Sequence, residues 1–168
     1  MNESDAEMVY KFTKESGTNV PNKPKLMSSD DVFFLIKMML DEIMELGSTV
    51  ECPHEVKYRM IKMITDSKDI PVIENVSIEE LIGEQGDALV DSYYYSLNAA
   101  AKNGINLSKI FEIVHKANMD KRDPLTGKFI KREDGKIIKP MGWKGPDIKA
   151  EIIRQTTYGS FENKEDIV

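Results

Sequence analysis

The stretch Val32-Phe-Phe-Leu-Ile-Lys-Met-Met-Leu-Asp-Glu-Ile-Met-Glu-Leu46 is apolar almost all the way round a helix, and it contains two carboxylates three positions apart, Glu42 and Glu45. A second pair with the same spacing, Glu84 and Asp87, lies in a later helical stretch. Residues three apart on a helix lie on one face. If the two helices pack as antiparallel neighbours, the four carboxylates converge across one groove and can hold a hard cation such as Mg²⁺.

Acidic pairs on helices often belong to a solvated face, so a metal site is not the only interpretation. Glu42 and Glu45, however, interrupt an otherwise apolar helix, and burial of an unpaired charge costs several kcal/mol. Glu84 and Asp87 are followed by the apolar run Ala88-Leu-Val90. These placements favour a metal site for phosphate chemistry over a solvated face.

Composition excludes several classes of protein. The chain has 168 residues with 40% hydrophobic content, enough for one domain with a core. Its net charge of −6 disfavours general nucleic-acid binding, which requires an excess of Lys and Arg. The single cysteine, Cys52, excludes an intrachain disulfide, and no apolar run is long enough for a membrane span or a signal peptide. We therefore expect a soluble cytoplasmic protein without a membrane or nucleic-acid partner.

Helical periodicity, with its start and stop signals, predicts an all-α fold of four to five helices. Ser28-Ser-Asp-Asp31 supplies an N-cap and an acidic first turn, Pro53 opens a second helix, and Ser77-Ile-Glu-Glu80 is a capping box. Residues 1–27 lack a regular pattern and are predicted to be an arm with a short ordered piece at 8–13. The predicted helices span 32–46, 53–67, 78–102, 107–118 and, as a last short helix, 147–154.

The sequence becomes basic after the fourth predicted helix, since residues 116–149 contain ten Lys or Arg against five Asp or Glu. Within this segment Asp134-Gly135 is a strong hairpin-turn signal. Residues 128–139 are therefore predicted to form a small C-terminal β-hairpin. The predicted organisation is one domain at 28–148 that includes this hairpin, followed by a C-terminal tail at 149–168.

These motifs resemble a known family. Asp41-Glu-Ile-Met-Glu45 and Glu84-Gln-Gly-Asp87 resemble the EExxE and ExxD motifs of the all-α nucleoside triphosphate pyrophosphohydrolases, a superfamily that includes MazG, phosphoribosyl-ATP pyrophosphohydrolase and the dimeric dUTPases. The resemblance covers about residues 28–148. Three downstream segments are similar to the MazG-like, phosphoribosyl-ATP-pyrophosphohydrolase-like branch: Val114-His-Lys-Ala-Asn-Met-Asp-Lys121, Asp134-Gly-Lys-Ile-Ile-Lys-Pro140 and Gly142-Trp-Lys-Gly-Pro-Asp147.

The resemblance implies an all-α helical bundle that hydrolyses a nucleotide between its α and β phosphates, releasing a nucleoside monophosphate and pyrophosphate. It implies Mg²⁺, or Mn²⁺ in its place, as the cofactor. Glu42 or Glu45 would also serve as the catalytic general base toward the attacking water. The metal ligands implied by position are Glu42, Glu45, Glu84 and Asp87. The implied substrate-binding residues are Asn118 and Lys121 for phosphate or sugar and, more weakly, Lys139 for phosphate and Trp143 for the base.

The resemblance also implies a homodimer or homotetramer, because members of this family build the active site in or beside a dimer interface. The apolar helix predicted at 32–46 supports this independently, since a monomer would expose much of it. Three functions stay open. They are a pyrophosphohydrolase that cleans the nucleotide pool, an enzyme of the same chemistry dedicated to phosphoribosyl-ATP or dUTP, and a non-catalytic helical interaction module. Base specificity depends on pocket shape, which the sequence does not give.

Overall fold

A computed structural model describes residues 3–67, 73–133 and 136–161. In this part of the chain the regular secondary structure consists of six α-helices with no strand, which confirms the all-α prediction. None of these helices is long and apolar enough to cross a bilayer. The helices are α1 (Asp5–Glu15), α2 (Ser29–Gly47), α3 (Pro53–Thr65), α4 (Ile78–Lys102), α5 (Leu107–Met119) and α6 (Ile148–Tyr158).

The chain divides into two compact units. The terminal unit comprises Met1–Asn22 and Val90–Val168, and the central unit comprises Lys23–Leu89. In the terminal unit α5 packs against both α1 and α6, whereas in the central unit α2 packs against α3. The single domain predicted at 28–148 therefore contributes residues to both units.

The caps confirm the predicted start signals, and α2 begins at Ser29, three residues before the predicted position 32, because Ser28 is its N-cap. The Ser28 side chain accepts the backbone N–H of Asp31 at the start of α2, and Pro53 occupies the first turn of α3. The capping box before α4 is also present, because the Ser77 N–H donates to the Glu80 carboxylate at 2.7 Å and Ser77 Oγ accepts from the Glu80 N–H at 3.1 Å. Local sequence signals thus fix where these helices begin.

The N-terminal arm contains a longer helix than the piece predicted at 8–13. Ser4 and Glu7 form a capping box at the start of α1, in which Glu7 accepts the Ser4 N–H at 2.8 Å. The helix is then held by tertiary contacts, since the Phe12 ring meets the Phe129 ring edge to face, with the centroids 5.2 Å apart. The capping signal Ser4-Asp-Ala-Glu7 is present in the sequence, but the packing partner lies more than one hundred residues away.

The predicted tail at 149–168 begins with α6, which extends beyond the short helix predicted at 147–154. Gln155 of α6 is buried, with 4% of its surface exposed. Its amide pairs with the backbone of Asn106 before α5, accepting the Asn106 N–H at 2.8 Å and donating to the Asn106 carbonyl at 3.2 Å. This two-way pair docks α6 against the start of α5.

The β-hairpin predicted at 128–139 does not form as two strands. Lys131 and Ile137 make only an isolated antiparallel bridge. The pairing is too short for a strand ladder, and Pro140 has no N–H with which to extend it. The predicted turn, Asp134-Gly135, lies outside the described residues. Two backbone hydrogen bonds flank the bridge, from the Ile138 N–H to the Ile130 carbonyl at 2.8 Å and from the Arg132 N–H to the Lys136 carbonyl at 2.9 Å.

A single chain buries little of its apolar surface. Among the described residues Ala117 is the only buried hydrophobic one, whereas Phe33 and Phe34 of α2 are 70% and 65% exposed. Most of the large apolar side chains of α2 are therefore exposed.

Candidate functional site

The two carboxylate pairs lie in the central unit. Glu42 and Glu45 occupy the C-terminal half of α2, and Glu84 and Asp87 lie in the N-terminal half of α4. Each pair has the predicted spacing of three residues on a helix. All four side chains are exposed, as are the apolar residues around Glu42 and Glu45. Within one chain these carboxylates are therefore not buried, so the cost of burying charge does not require a metal ion beside them.

The structure does not bring the two pairs together in one chain. Within the described residues α2 packs against α3 and makes no packing contact with α4. In the same ranges no group of three or more His, Cys, Asp or Glu side chains is placed to hold a metal ion. Instead α3 takes the position beside α2, where a Cβ at Gly47 would lie 3.2 Å from Val56 Cγ1. The groove expected between α2 and α4 is not formed by one copy of the described chain.

The chemistry of the four donors nevertheless suits Mg²⁺. They offer carboxylate oxygens, which hard cations prefer. Mg²⁺ is usually held by only one or two protein carboxylates together with waters and substrate phosphates. Glu42 with Glu45, or Glu84 with Asp87, would supply that number from one helix face.

In the terminal unit the structure brings the four predicted substrate-binding residues together. Asn118 lies in the last turn of α5, and Lys121 follows the end of that helix. The Lys121 Nζ donates a 2.7 Å hydrogen bond to Asn118 Oδ1. It also lies 5.5 Å from the centroid of the Trp143 ring, and the Lys139 Nζ lies 4.5 Å from the same centroid. We call these four residues the basic cluster.

Two hydrogen bonds hold Trp143 in place. Its Nε1–H donates a 2.8 Å hydrogen bond to the carbonyl of Ala117, the buried residue of α5. The Trp143 backbone N–H also donates to the Pro140 carbonyl at 3.0 Å. The ring is therefore fixed to α5, and it offers its electron-rich face to cations.

The electrostatics of the basic cluster favour an anion. Burial, followed by repulsion from Lys139, lowers the pKa of Lys121. In the described part of the chain no carboxylate forms an ion pair with Lys121 or Lys139. Two cations that share one ring and form no ion pair with a described carboxylate repel each other, and a bound polyanion would relieve that repulsion.

Both lysines also line an open pocket of about 490 Å³. Ile130 and Ile138 form part of its wall, and a backbone hydrogen bond joins the two residues. Neither isoleucine is among the residues that the sequence predicts for the site. The only sequence signal for them is a pair of apolar residues between two lysines, which occurs in Lys128-Phe-Ile-Lys131 and again in Lys136-Ile-Ile-Lys139. The remaining lining residues are Asp123, Pro124, Leu125, Pro140 and Met141.

Comparison with known proteins bears on the fold. No protein-family model and no curated protein matches the chain. Among solved structures it is similar to the one named "crystal structure of a putative NTP pyrophosphohydrolase" from Exiguobacterium sp. 255-15, with a TM-score of 0.72 and 24% identity. The match covers 94% of this chain and 98% of that one. The chain thus shares its fold with this solved structure, in agreement with the all-α bundle that the resemblance of its acidic motifs implied.

Proposed function

We propose that the protein is a Mg²⁺-dependent nucleoside triphosphate pyrophosphohydrolase, which cleaves between the α and β phosphates and releases a nucleoside monophosphate and pyrophosphate. The observation that carries this proposal is the basic cluster, where the ammonium groups of Lys121 and Lys139 lie over the Trp143 ring. Such a pair of cations suits a ligand with several negative charges on one chain, such as a polyphosphate. The likeness in fold to a structure named as an NTP pyrophosphohydrolase supports the same chemistry.

The proposed metal ligands are Glu42, Glu45, Glu84 and Asp87, with Mn²⁺ able to replace Mg²⁺. When bound, the ion would neutralise phosphate charge and make an attacking water more acidic. Glu42 or Glu45 would accept the proton of that water as general base. This assignment rests on the family motifs and on the donor chemistry.

Asn118 and Lys121 have complementary proposed roles toward the phosphates or the sugar. A lysine ammonium has three N–H donors, and Asn118 accepts one of them at 2.7 Å. The other two N–H groups can donate to phosphate oxygens. Because Asn118 lies on α5 and holds the ammonium, less side-chain freedom is lost when the substrate binds. Lys139 would add a second positive charge to the same phosphate chain.

We also propose that the working form is a homodimer or homotetramer in the cytoplasm, where nucleotide pools are found. Most large apolar side chains of α2 are exposed, and a contiguous exposed apolar surface of this kind marks an interaction site. The exposed rings of Phe33 and Phe34 suit such an interface. In such an assembly a second copy would place a helix beside the face of α2 that carries Glu42 and Glu45.

Pyrophosphate release from a panel of nucleotides tests the proposal. The panel contains the common ribo- and deoxynucleoside triphosphates, modified nucleotides, dUTP and phosphoribosyl-ATP, each with Mg²⁺, with Mn²⁺ and with excess EDTA. We expect metal-dependent release from several nucleoside triphosphates. Release from phosphoribosyl-ATP or dUTP alone would assign a dedicated enzyme. No release from any compound would leave a non-catalytic helical module and overturn the proposal.

A further inference from the structure

The pocket of about 490 Å³ beside the basic cluster has two chemically different sides. Lys121 and Lys139 place positive charge on one side. The other side is apolar, and two of its residues are unusually exposed, with Leu125 at 93% and Met141 fully accessible. A ligand that satisfies both sides must carry negative charge at one end and a flat or apolar group at the other.

We infer that this pocket binds the nucleobase of a nucleotide whose phosphates contact Lys121 and Lys139. The inference rests on the proposed function and adds to it the residues that select the base. Ile130 and Ile138 would cover one face of the ring, and the side chains of Leu125 and Met141 would border it. A base that covers these side chains removes apolar surface from water, which is favourable.

The pocket wall is structured on its own. Ile138 and Ile130 are tied by the 2.8 Å backbone hydrogen bond, so their side chains stay close together. The preceding loop is closed by Asp123, whose N–H donates to the Lys128 carbonyl at 2.8 Å. A wall that is already formed in the free protein reduces the entropy lost on binding.

Asp123, the acidic group that lines the pocket, carries a negative charge that is partly compensated by hydrogen-bond donors of its own loop. Asp123 Oδ1 accepts the backbone N–H of Thr126 at 2.8 Å, the Thr126 hydroxyl at 2.9 Å and the Leu125 N–H at 3.1 Å. The Thr126 N–H, the largest influence, and the Thr126 hydroxyl lower the pKa of Asp123. The carboxylate therefore serves as a loop cap, and the two lysines dominate the charge toward a ligand.

A second pocket, of about 330 Å³, lies on the side of Trp143 and is the competing place for the base. Its lining contains charges of both signs, from Asp120, Arg122 and Lys144, and neither Lys121 nor Lys139 lines it. A base held there would not share a pocket with the two ammonium groups proposed to bind its phosphates. The pocket with the isoleucines is therefore the better match to a whole nucleotide.

The test compares nucleoside triphosphates with inorganic tripolyphosphate, which has the phosphate chain but no nucleoside. Isothermal titration calorimetry of the full chain, in excess EDTA so that hydrolysis does not occur, would measure the dissociation constants of ATP, GTP, CTP, UTP and inorganic tripolyphosphate. We expect at least one nucleoside triphosphate to bind more tightly than tripolyphosphate. Ile138→Ser should weaken the binding of that nucleotide by about tenfold or more, because even one methylene in an apolar pocket contributes that factor, and should change the binding of tripolyphosphate by no more than about twofold.

Ile130→Ser serves as a second pocket variant, and Ile153→Ser on α6 serves as the matched control because Ile153 is also exposed, at 56%, and lies outside the pocket. Circular dichroism would establish that each variant is folded. Equal binding of nucleotides and tripolyphosphate, or no binding without metal, would overturn the inference. The inference would also be overturned if nucleotides bind more tightly than tripolyphosphate and neither Ile138→Ser nor Ile130→Ser changes that difference. The base would then lie elsewhere, for example on Trp143.

These outcomes are separable from those of the hydrolysis panel. A protein that releases no pyrophosphate but loses base-dependent binding in Ile138→Ser would contradict the proposed function alone. A protein that hydrolyses nucleotides but binds them equally well with and without Ile138 would contradict the pocket assignment alone.

Discussion

Lys121 Nζ donates a 2.7 Å hydrogen bond to Asn118 Oδ1, three residues earlier in the chain. Asn118 lies in the last turn of α5, and Lys121 comes just after the helix ends at Met119. The C-terminal end of a helix carries partial negative charge, which favours a cation there. The end of α5 therefore holds the Asn118 amide in place, and the hydrogen bond to this amide holds the Lys121 ammonium in place.

The first prediction follows from this position. Lys121→Ala removes a charged donor to substrate phosphate, and we expect kcat/KM to fall roughly 10- to 150-fold, which corresponds to the ~1.5 to 3 kcal/mol typical of a hydrogen bond to a charged group. Lys131→Ala is the matched control, because Lys131 is exposed and, among the described residues, its Nζ hydrogen-bonds only to the Thr18 hydroxyl, at 3.4 Å. Steady-state pyrophosphate release measures both variants. Equal, small effects would assign the basic segment to the solvated surface.

The second prediction concerns pH. Burial and, secondly, repulsion from Lys139 lower the pKa of Lys121. Phosphate binding needs the protonated amine, so kcat/KM should decline as pH rises through that lowered pKa. Lys139→Ala removes the repulsion and should move the alkaline decline to higher pH, whereas Lys131→Ala should leave it in place. The profile of kcat/KM against pH gives the result, and an unmoved decline in Lys139→Ala contradicts the coupling of the two lysines.

The helices could be predicted from sequence because their signals are local. Three helix starts are marked by residues no more than four positions from them, namely Ser28, Pro53 and the Ser77 capping box. The helix α4 also has the predicted bounds. What the sequence did not give depends on distant partners. The docking of α1 involves Phe129, and the docking of α6 involves the pair between Gln155 and Asn106.

The site divides in the same way. Asn118, Lys121, Lys139 and Trp143 were expected from motif resemblance, and the structure places them together. Ile130 and Ile138 were not expected, because the two residues form one pocket wall only through the backbone hydrogen bond between them. Convergence of the carboxylate pairs required α4 to be the neighbour of α2. Spacing along one helix carries no information about which helix packs beside it.

The third prediction addresses the carboxylates. Glu45→Ala and Asp87→Ala should lower turnover by about two orders of magnitude or more, because loss of the ion removes several kcal/mol of transition-state stabilisation. Both variants should stay folded, since the two side chains are exposed. Glu79→Ala, an exposed carboxylate in the first turn of α4, is the control. Turnover and helical circular dichroism are measured together, and wild-type turnover in excess EDTA would end the metal assignment.

The last prediction concerns assembly. Light scattering coupled to size-exclusion chromatography should give the mass of a dimer or tetramer, because the rings of α2 are too exposed for a monomer. Phe34→Glu should lower that mass, since an unpaired charge in an interface costs several kcal/mol. Lys102→Glu is the control, because it reverses a charge at an exposed position in the last turn of α4 rather than on the face of α2 that carries the rings, and it should keep the wild-type mass. If a second copy completes the carboxylate site, Phe34→Glu also loses turnover at concentrations where it is monomeric. A wild-type monomer at micromolar concentration would refute the assembly and, with it, a site that needs two copies.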